Sequence, residues 1–133
     1  MKILVIEDSR LLRSAMEKVL AKAGHDVVAA ADGQEGLRLA RELHPDVILL
    51  DMMLPSLDGT EVLRHLKQTS RTKHIPVVVL SALAQKNETK LKLAGAAAYF
   101  EKSNLSLGDD GVALLRVLQG LTTDVAAAKS THS

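Results

Sequence analysis

Val47-Ile48-Leu49-Leu50-Asp51-Met52-Met53-Leu54-Pro55-Ser56-Leu57-Asp58-Gly59 is the stretch on which the fold turns. Its first four residues are uniformly apolar, as in a strand covered on both faces of a parallel sheet. The run stops on Asp51, and Pro55 with Asp58-Gly59 supplies the turn chemistry of a loop. Three other apolar runs also end at polar residues. Ile3 to Ile6 stops on Glu7 and Asp8, Val77 to Leu80 stops on Ser81, and Tyr99 and Phe100 come shortly before Lys102. In open parallel α/β sheets the carboxyl ends of neighbouring strands line the ligand crevice, so these separated residues are expected to converge. They outline a metal-assisted phosphate site centred on Asp51.

Between the runs, apolar residues recur at helical spacing, and the whole pattern reads as βα repeated five times. Leu11, Leu12, Ala15, Met16, Val19, Leu20 and Ala23 form one stripe, with Asp8 or Ser9 as cap and Gly24 as stop. A strand at about His25 to Ala31 leads through Asp32-Gly33 into a helix carrying Leu37, Ala40 and Leu43, which ends before Pro45. After the Asp51 loop comes a helix with Val62, Leu63 and Leu66, and Pro76 introduces the fourth strand. Gln85 to Ala94 reads as a polar, lysine-rich helix, thinly anchored by Leu91 and Leu93, and as the element most apt to move. Ala96 to Glu101 is the expected last strand, and Val112, Leu114, Leu115, Val117, Leu118 and Leu121 supply a final helix.

The chain has 133 residues, enough for one domain with a proper core. We expect that domain over residues 1–121, with residues 122–133 a flexible tail that has little to bury. Lys+Arg number 17 against 16 Asp+Glu, a net charge of +1 that lacks the basic excess of a nucleic-acid binder. Cysteine is absent, so a disulfide framework and thiolate zinc are both excluded, and a reducing cytoplasm fits. No apolar stretch approaches transmembrane or signal-peptide form, so a soluble cytoplasmic protein without membrane contact is expected.

Mg2+ is a hard ion that prefers oxygen ligands and commonly takes one or two protein carboxylates plus waters, a task that suits Glu7, Asp8 and Asp51. Three crowded carboxylates repel one another, which implies a cation between them. With the metal bound, the Asp51 carboxylate can attack phosphorus in line and form an acyl phosphate. Lys102 can pair with the phosphoryl oxygens and the Ser81 hydroxyl can donate to another. Taken singly, each has an ordinary structural role: helix cap, loop carboxylate, turn serine, surface lysine. Their joint placement at strand ends is what points to phosphoryl chemistry.

Glu7-Asp8-Ser9, Asp51-x-x-x-Pro55-x-x-Asp58-Gly59, Ser81-Ala82 and Lys102, each after its strand, resemble the response-regulator receiver domain of two-component signalling. The match runs over roughly residues 2 to 121. It implies a flavodoxin-like (βα)5 fold, a doubly wound five-stranded parallel sheet of order 2-1-3-4-5 with helices on both faces. By the family pattern Asp51 would accept a phosphoryl group from a histidine kinase or histidine phosphotransfer protein. Asp8 and Asp51 would bind Mg2+ directly and Glu7 through water, with the Met53 carbonyl as a further ligand. Ser81 and Lys102 would hold the phosphoryl group, and Tyr99 sits at the position of the family's aromatic switch. Such a protein is no conventional enzyme. It promotes its own aspartyl phosphorylation and dephosphorylation and switches a face that binds an output protein, here unidentified.

The chain departs from the family pattern in places. The family usually has proline after the lysine, often with a cis peptide, whereas this chain has Lys102-Ser103, where a cis bond would cost about 2.5–4 kcal/mol. The loop from Asn104 to Gly108 is longer than usual. Apolar Met53 and Leu83 stand where the family flanks the path of the hydrolytic water, so slow loss of the phosphoryl group is expected.

Other classes fit less well. A flavodoxin would need a first loop that welcomes phosphate, and Glu7-Asp8 would repel it. A haloacid-dehalogenase-type phosphatase wants a second carboxylate two residues after the nucleophile, where this chain has Met53. Walker and dinucleotide glycine motifs are absent. The remaining rival is a receiver-like docking module that signals by protein binding without phosphorylation. His25, His44, His65, His74 and His132 are scattered without ligand spacing and read as surface residues or caps.

Overall fold

The structure, a computed structural model, describes residues 1–52, 59–81, 95–101 and 114–120. Five strands, β1 (Lys2–Ile6), β2 (Asp26–Ala30), β3 (Val47–Asp51), β4 (Val77–Ser81) and β5 (Ala98–Glu101), form one parallel sheet of order β2-β1-β3-β4-β5. Helices α1 (Arg10–Lys22), α2 (Gly33–Leu43) and α3 (Gly59–Gln68) lie between strands, and residues 114–120 form a further helix, α4. This is the expected flavodoxin-like class and strand order. The helix read at Gln85 to Ala94, the Lys102-Ser103 peptide, the loop after it and the tail from residue 122 lie outside the described residues.

The continuous apolar runs are explained by two cores, one on each face of the sheet. Side chains alternate along a strand, so Leu4 and Ile6, Ile48 and Leu50, and Val77 and Val79 face one way, with α2 and α3 over them. Ile3 and Val5, Val47 and Leu49, and Val78 and Leu80 face the other, packed with Met16 and Leu20 of α1 and Leu114 and Leu118 of α4. Each of these residues is at most 2 % exposed, as expected for a sheet sandwiched between helix layers.

Local signals set the helix ends. The Ser9 Oγ accepts from the Leu12 backbone N–H at 3.3 Å, which decides the cap between Asp8 and Ser9, and Gly24, at φ +94°, ends the turn after α1. The Asp32 Oδ1 accepts from the Glu35 N–H at 2.9 Å to start α2. His44, at φ 47°, ends α2 and donates its N–H to the Ala40 carbonyl at 3.2 Å. On α1 the structure corrects one expectation: Leu11 is 83 % exposed. At about 100° per residue it lies about 140° around the helix from Met16, which takes it off the buried stripe.

The two edge strands are shorter than expected. β2 loses one residue at each end, and β5 starts at Ala98, not Ala96. Gly95, at φ +110°, turns the chain, and the first parallel pair it can make with β4 is Val78 with Ala98. Ala96 is nevertheless buried in the α2/α3 core.

The strand order locates the crevice. The chain moves outward from β1 to β2 in one direction and from β3 to β5 in the other, so the connections diverge between β1 and β3. Ligands bind at such a divergence, beyond the carboxyl ends of the strands.

Candidate functional site

β1 and β3 are paired with Val5 opposite Leu49 and Ile6 opposite Leu50. Continued by one step, that register sets Glu7 opposite Asp51. Both follow the odd-numbered alternation of their strands, the α1 side of the sheet. Each is 0 % exposed, so the sheet carries two carboxylates side by side into its interior edge. Asp8, the next residue, is exposed. One ligand oxygen from each of Glu7, Asp8 and Asp51 lies within 4.8 Å of the others. This is the one such group of potential metal ligands among the described residues, and it contains no histidine or cysteine.

The backbone around the cluster is tied down. The Glu7 N–H donates to the Ala30 carbonyl at 3.0 Å, and the Glu7 Oε2 accepts from the Ser9 N–H at 3.2 Å. Past Asp51, the Met52 N–H donates to the Leu80 carbonyl at 3.0 Å and the Gly59 N–H to the Met52 carbonyl at 3.2 Å. Gly59 is required here by space, since an added Cβ would meet the Met52 Cα at 2.5 Å and the Asp51 carbonyl oxygen at 2.6 Å.

Arg13 joins the cluster from outside the set of residues expected from the sequence. Its Nη1 donates to the carbonyl of Glu7 at 2.9 Å and more weakly to that of Asp8 at 3.4 Å. No motif flags it, because it meets the acidic loop only once α1 is wound. Its position early in α1, from which a long side chain points back over the helix N-terminus, is the signal that could have found it.

Of the expected site residues, Glu7, Asp8 and Asp51 are thus brought together. Ser81 ends β4 on the neighbouring strand, with Leu80 opposite Asp51. Met53 and Lys102 lie outside the described residues. Tyr99 is half-buried on β5, opposite Val79, and packs on the α2/α3 core. Among the histidines, His44 is a cap, His65 and His74 are exposed, and His132 is outside the described residues. The His25 Nδ1 lies 3.2 Å from the Met1 amino group, and burial first, then that neighbouring charge, pushes its pKa below the ordinary value.

Two further charged groups are structural. Lys67 donates to the carbonyls of Ile75 at 2.8 Å and Lys73 at 3.2 Å, bracing the turn before β4, and burial lowers its pKa. Arg38 bridges Glu35 and Glu42 on the exposed face of α2, where their hydrogen bonds raise its pKa.

An all-oxygen set of clustered carboxylates suits a hard divalent cation such as Mg2+, in which soft or nitrogen-preferring metals have less interest. Known proteins agree with the fold. The response regulator receiver domain family matches residues 3–108. The polar-differentiation response regulator DivK of Brucella ovis is 36% identical over 101 residues, 75% of this chain and 82% of DivK. The chemotaxis protein CheY4 of Vibrio cholerae superposes with a TM-score of 0.77 at 30% identity, covering 89% of this chain and 95% of CheY4. The receiver domain of the sensor histidine kinase PA1611 from Pseudomonas aeruginosa, solved with a magnesium ion coordinated in its active site cleft, gives 0.76 at 29% identity over 89% of this chain and 93% of its own. With this sheet order, an acidic cluster at the β1/β3 divergence and a match over most of its length, the chain belongs to the response-regulator receiver family.

Proposed function

We propose that this receiver domain accepts a phosphoryl group at Asp51, in a Mg2+-dependent transfer from the phosphohistidine of a histidine kinase or phosphotransfer protein. The observation that carries the reading is the convergence of Glu7, Asp8 and Asp51, two of them fully buried, at the mouth of the sheet. In that reading Asp8 and Asp51 are metal ligands and Glu7 acts through water, with the Met53 carbonyl completing the protein's share. Bound there, Mg2+ would supply positive charge to offset the negative charge that develops on the transferring group.

The steps of the chain's own residues follow. An Asp51 carboxylate oxygen attacks phosphorus in line; the new O–P bond forms as the donor's N–P bond breaks, and its electron pair stays on the departing imidazole nitrogen. Lys102 and Ser81 are assigned by family resemblance to hold the phosphoryl oxygens, and Tyr99 to register the change. The domain then occupies residues 1–121, with 122–133 a tail, and the absence of cysteine accords with work in a reducing cytoplasm. Among the described residues no helix is long and apolar enough to cross a membrane.

The test is intact-protein mass after incubation with acetyl phosphate, with and without Mg2+, on wild type and Asp51→Asn. A Mg2+-dependent gain of one phosphoryl group that the variant lacks is expected. No gain in any condition would transfer the reading to a docking module that signals without phosphorylation.

A further inference from the structure

The exposed member of the carboxylate cluster is Asp8. Packing does not hold it in place as it does the buried Glu7 and Asp51. Its availability as a ligand therefore depends on what fixes its backbone. The Glu7 amide is pinned to Ala30, but the carbonyls of Glu7 and Asp8 both turn to the guanidinium of Arg13. Arg13 sits in α1 with its own N–H on the Ser9 carbonyl at 2.8 Å, so its side chain reaches back across the start of the helix. A cation there opposes the helix dipole. Helix preference does not explain this placement, whereas the two carbonyls do.

We propose that Arg13 is a positioning residue for the cation site: it grips the Glu7 and Asp8 carbonyls and so presets the backbone from which Asp8 reaches the Glu7–Asp51 pair. This rests on the receiver chemistry proposed above. A guanidinium also repels an arriving cation, but this one is partly exposed and screened. Losing a preset ligand costs affinity directly, as removal of outer partners does at other metal sites. The tether is the larger effect.

The experiment titrates Mg2+ alone into wild type, Arg13→Ala and Arg13→Lys, following backbone amide shifts around Asp8 and Asp51. Arg13→Ala should weaken binding by about ten-fold with the rest of the spectrum unchanged. Arg13→Lys, which keeps the charge but lacks the reach and planar geometry that bring the Arg13 Nη1 to both carbonyls, should fall between the two. Wild-type affinity in a folded Arg13→Ala protein overturns the proposal. If that variant does not fold, Arg13→Lys decides: weakened binding supports the tether and unchanged binding overturns it. Failure of the wild type to bind Mg2+ would sink the receiver chemistry itself, and the tether with it. A purely structural role would lower the thermal midpoint of Arg13→Ala equally with and without Mg2+; the tether predicts a smaller Mg2+-induced rise than in wild type.

Discussion

Gly59 is the residue at which the path of the chain and its chemistry constrain each other most tightly. The atoms that an added Cβ would strike, the Met52 Cα and the Asp51 carbonyl oxygen, are main chain and cannot swing aside. Gly59→Ala should therefore lower stability by about 1–3 kcal/mol in urea melts. It should also slow phosphorylation at Asp51, since the atoms displaced are those that carry the acceptor. A variant with the wild-type urea midpoint and the wild-type labelling rate would refute this. From sequence alone Asp58-Gly59 read as loop, whereas Gly59 opens α3, and the reason for the glycine was not legible because the close approach is made by Asp51 and Met52 at the end of β3. Asp51 shows the same division. Its place after an apolar run could be read directly, whereas its complete burial depends on strands from the rest of the chain.

Helix ends were legible because caps are local, and helix faces less so because they depend on phase. Asp32→Ala removes the acceptor that starts α2 and should cost about 1 kcal/mol by thermal or urea unfolding. On α1 the phase separates two leucines of the same apparent stripe. Leu20→Ala empties a fully buried position and should cost about 2–5 kcal/mol. Leu11→Ser, at an 83 % exposed position, should stay within about 0.5 kcal/mol of wild type. A large loss at Leu11 would mean that α1 is rotated from the position described. At the start of β2, burial holds the pKa of His25 below the ordinary value of 6.5. The unfolded chain then binds the proton more readily, so stability is full above about pH 6.5 and declines as pH falls toward the folded pKa. His25→Gln should flatten that part of the curve in urea midpoints taken between about pH 7 and 5. An identical slope in the variant would assign the decline to other groups.

At the scale of the whole molecule, the fold was legible because each βα unit repeats one signal, and the site was legible because strand order sends the ends of β1 and β3 to the same place. What stayed hidden were contacts that exist only after assembly, such as Arg13 on the Glu7 and Asp8 carbonyls and Lys67 beneath the turn to β4. The same assembly builds the carboxylate cluster. Folding gathers one ligand oxygen from each of Glu7, Asp8 and Asp51 to within 4.8 Å, two of these residues out of water. Mg2+ held by these carboxylates would stabilise the folded chain. Bound to the folded state alone, at roughly ten times its dissociation constant it adds about 1.4 kcal/mol to the wild type. For a domain of this size that is a rise of about 3–6 °C in thermal midpoint. Asp51→Asn should show a much smaller rise, having lost a ligand. Calorimetric scans of both proteins in chelator and in Mg2+ measure all four stabilities. A Mg2+ response equal in both would place the cation elsewhere. The expected difference, with the wild type gaining more from Mg2+ than Asp51→Asn, ties the cation to the carboxylate cluster and so to the proposed site of phosphoryl transfer.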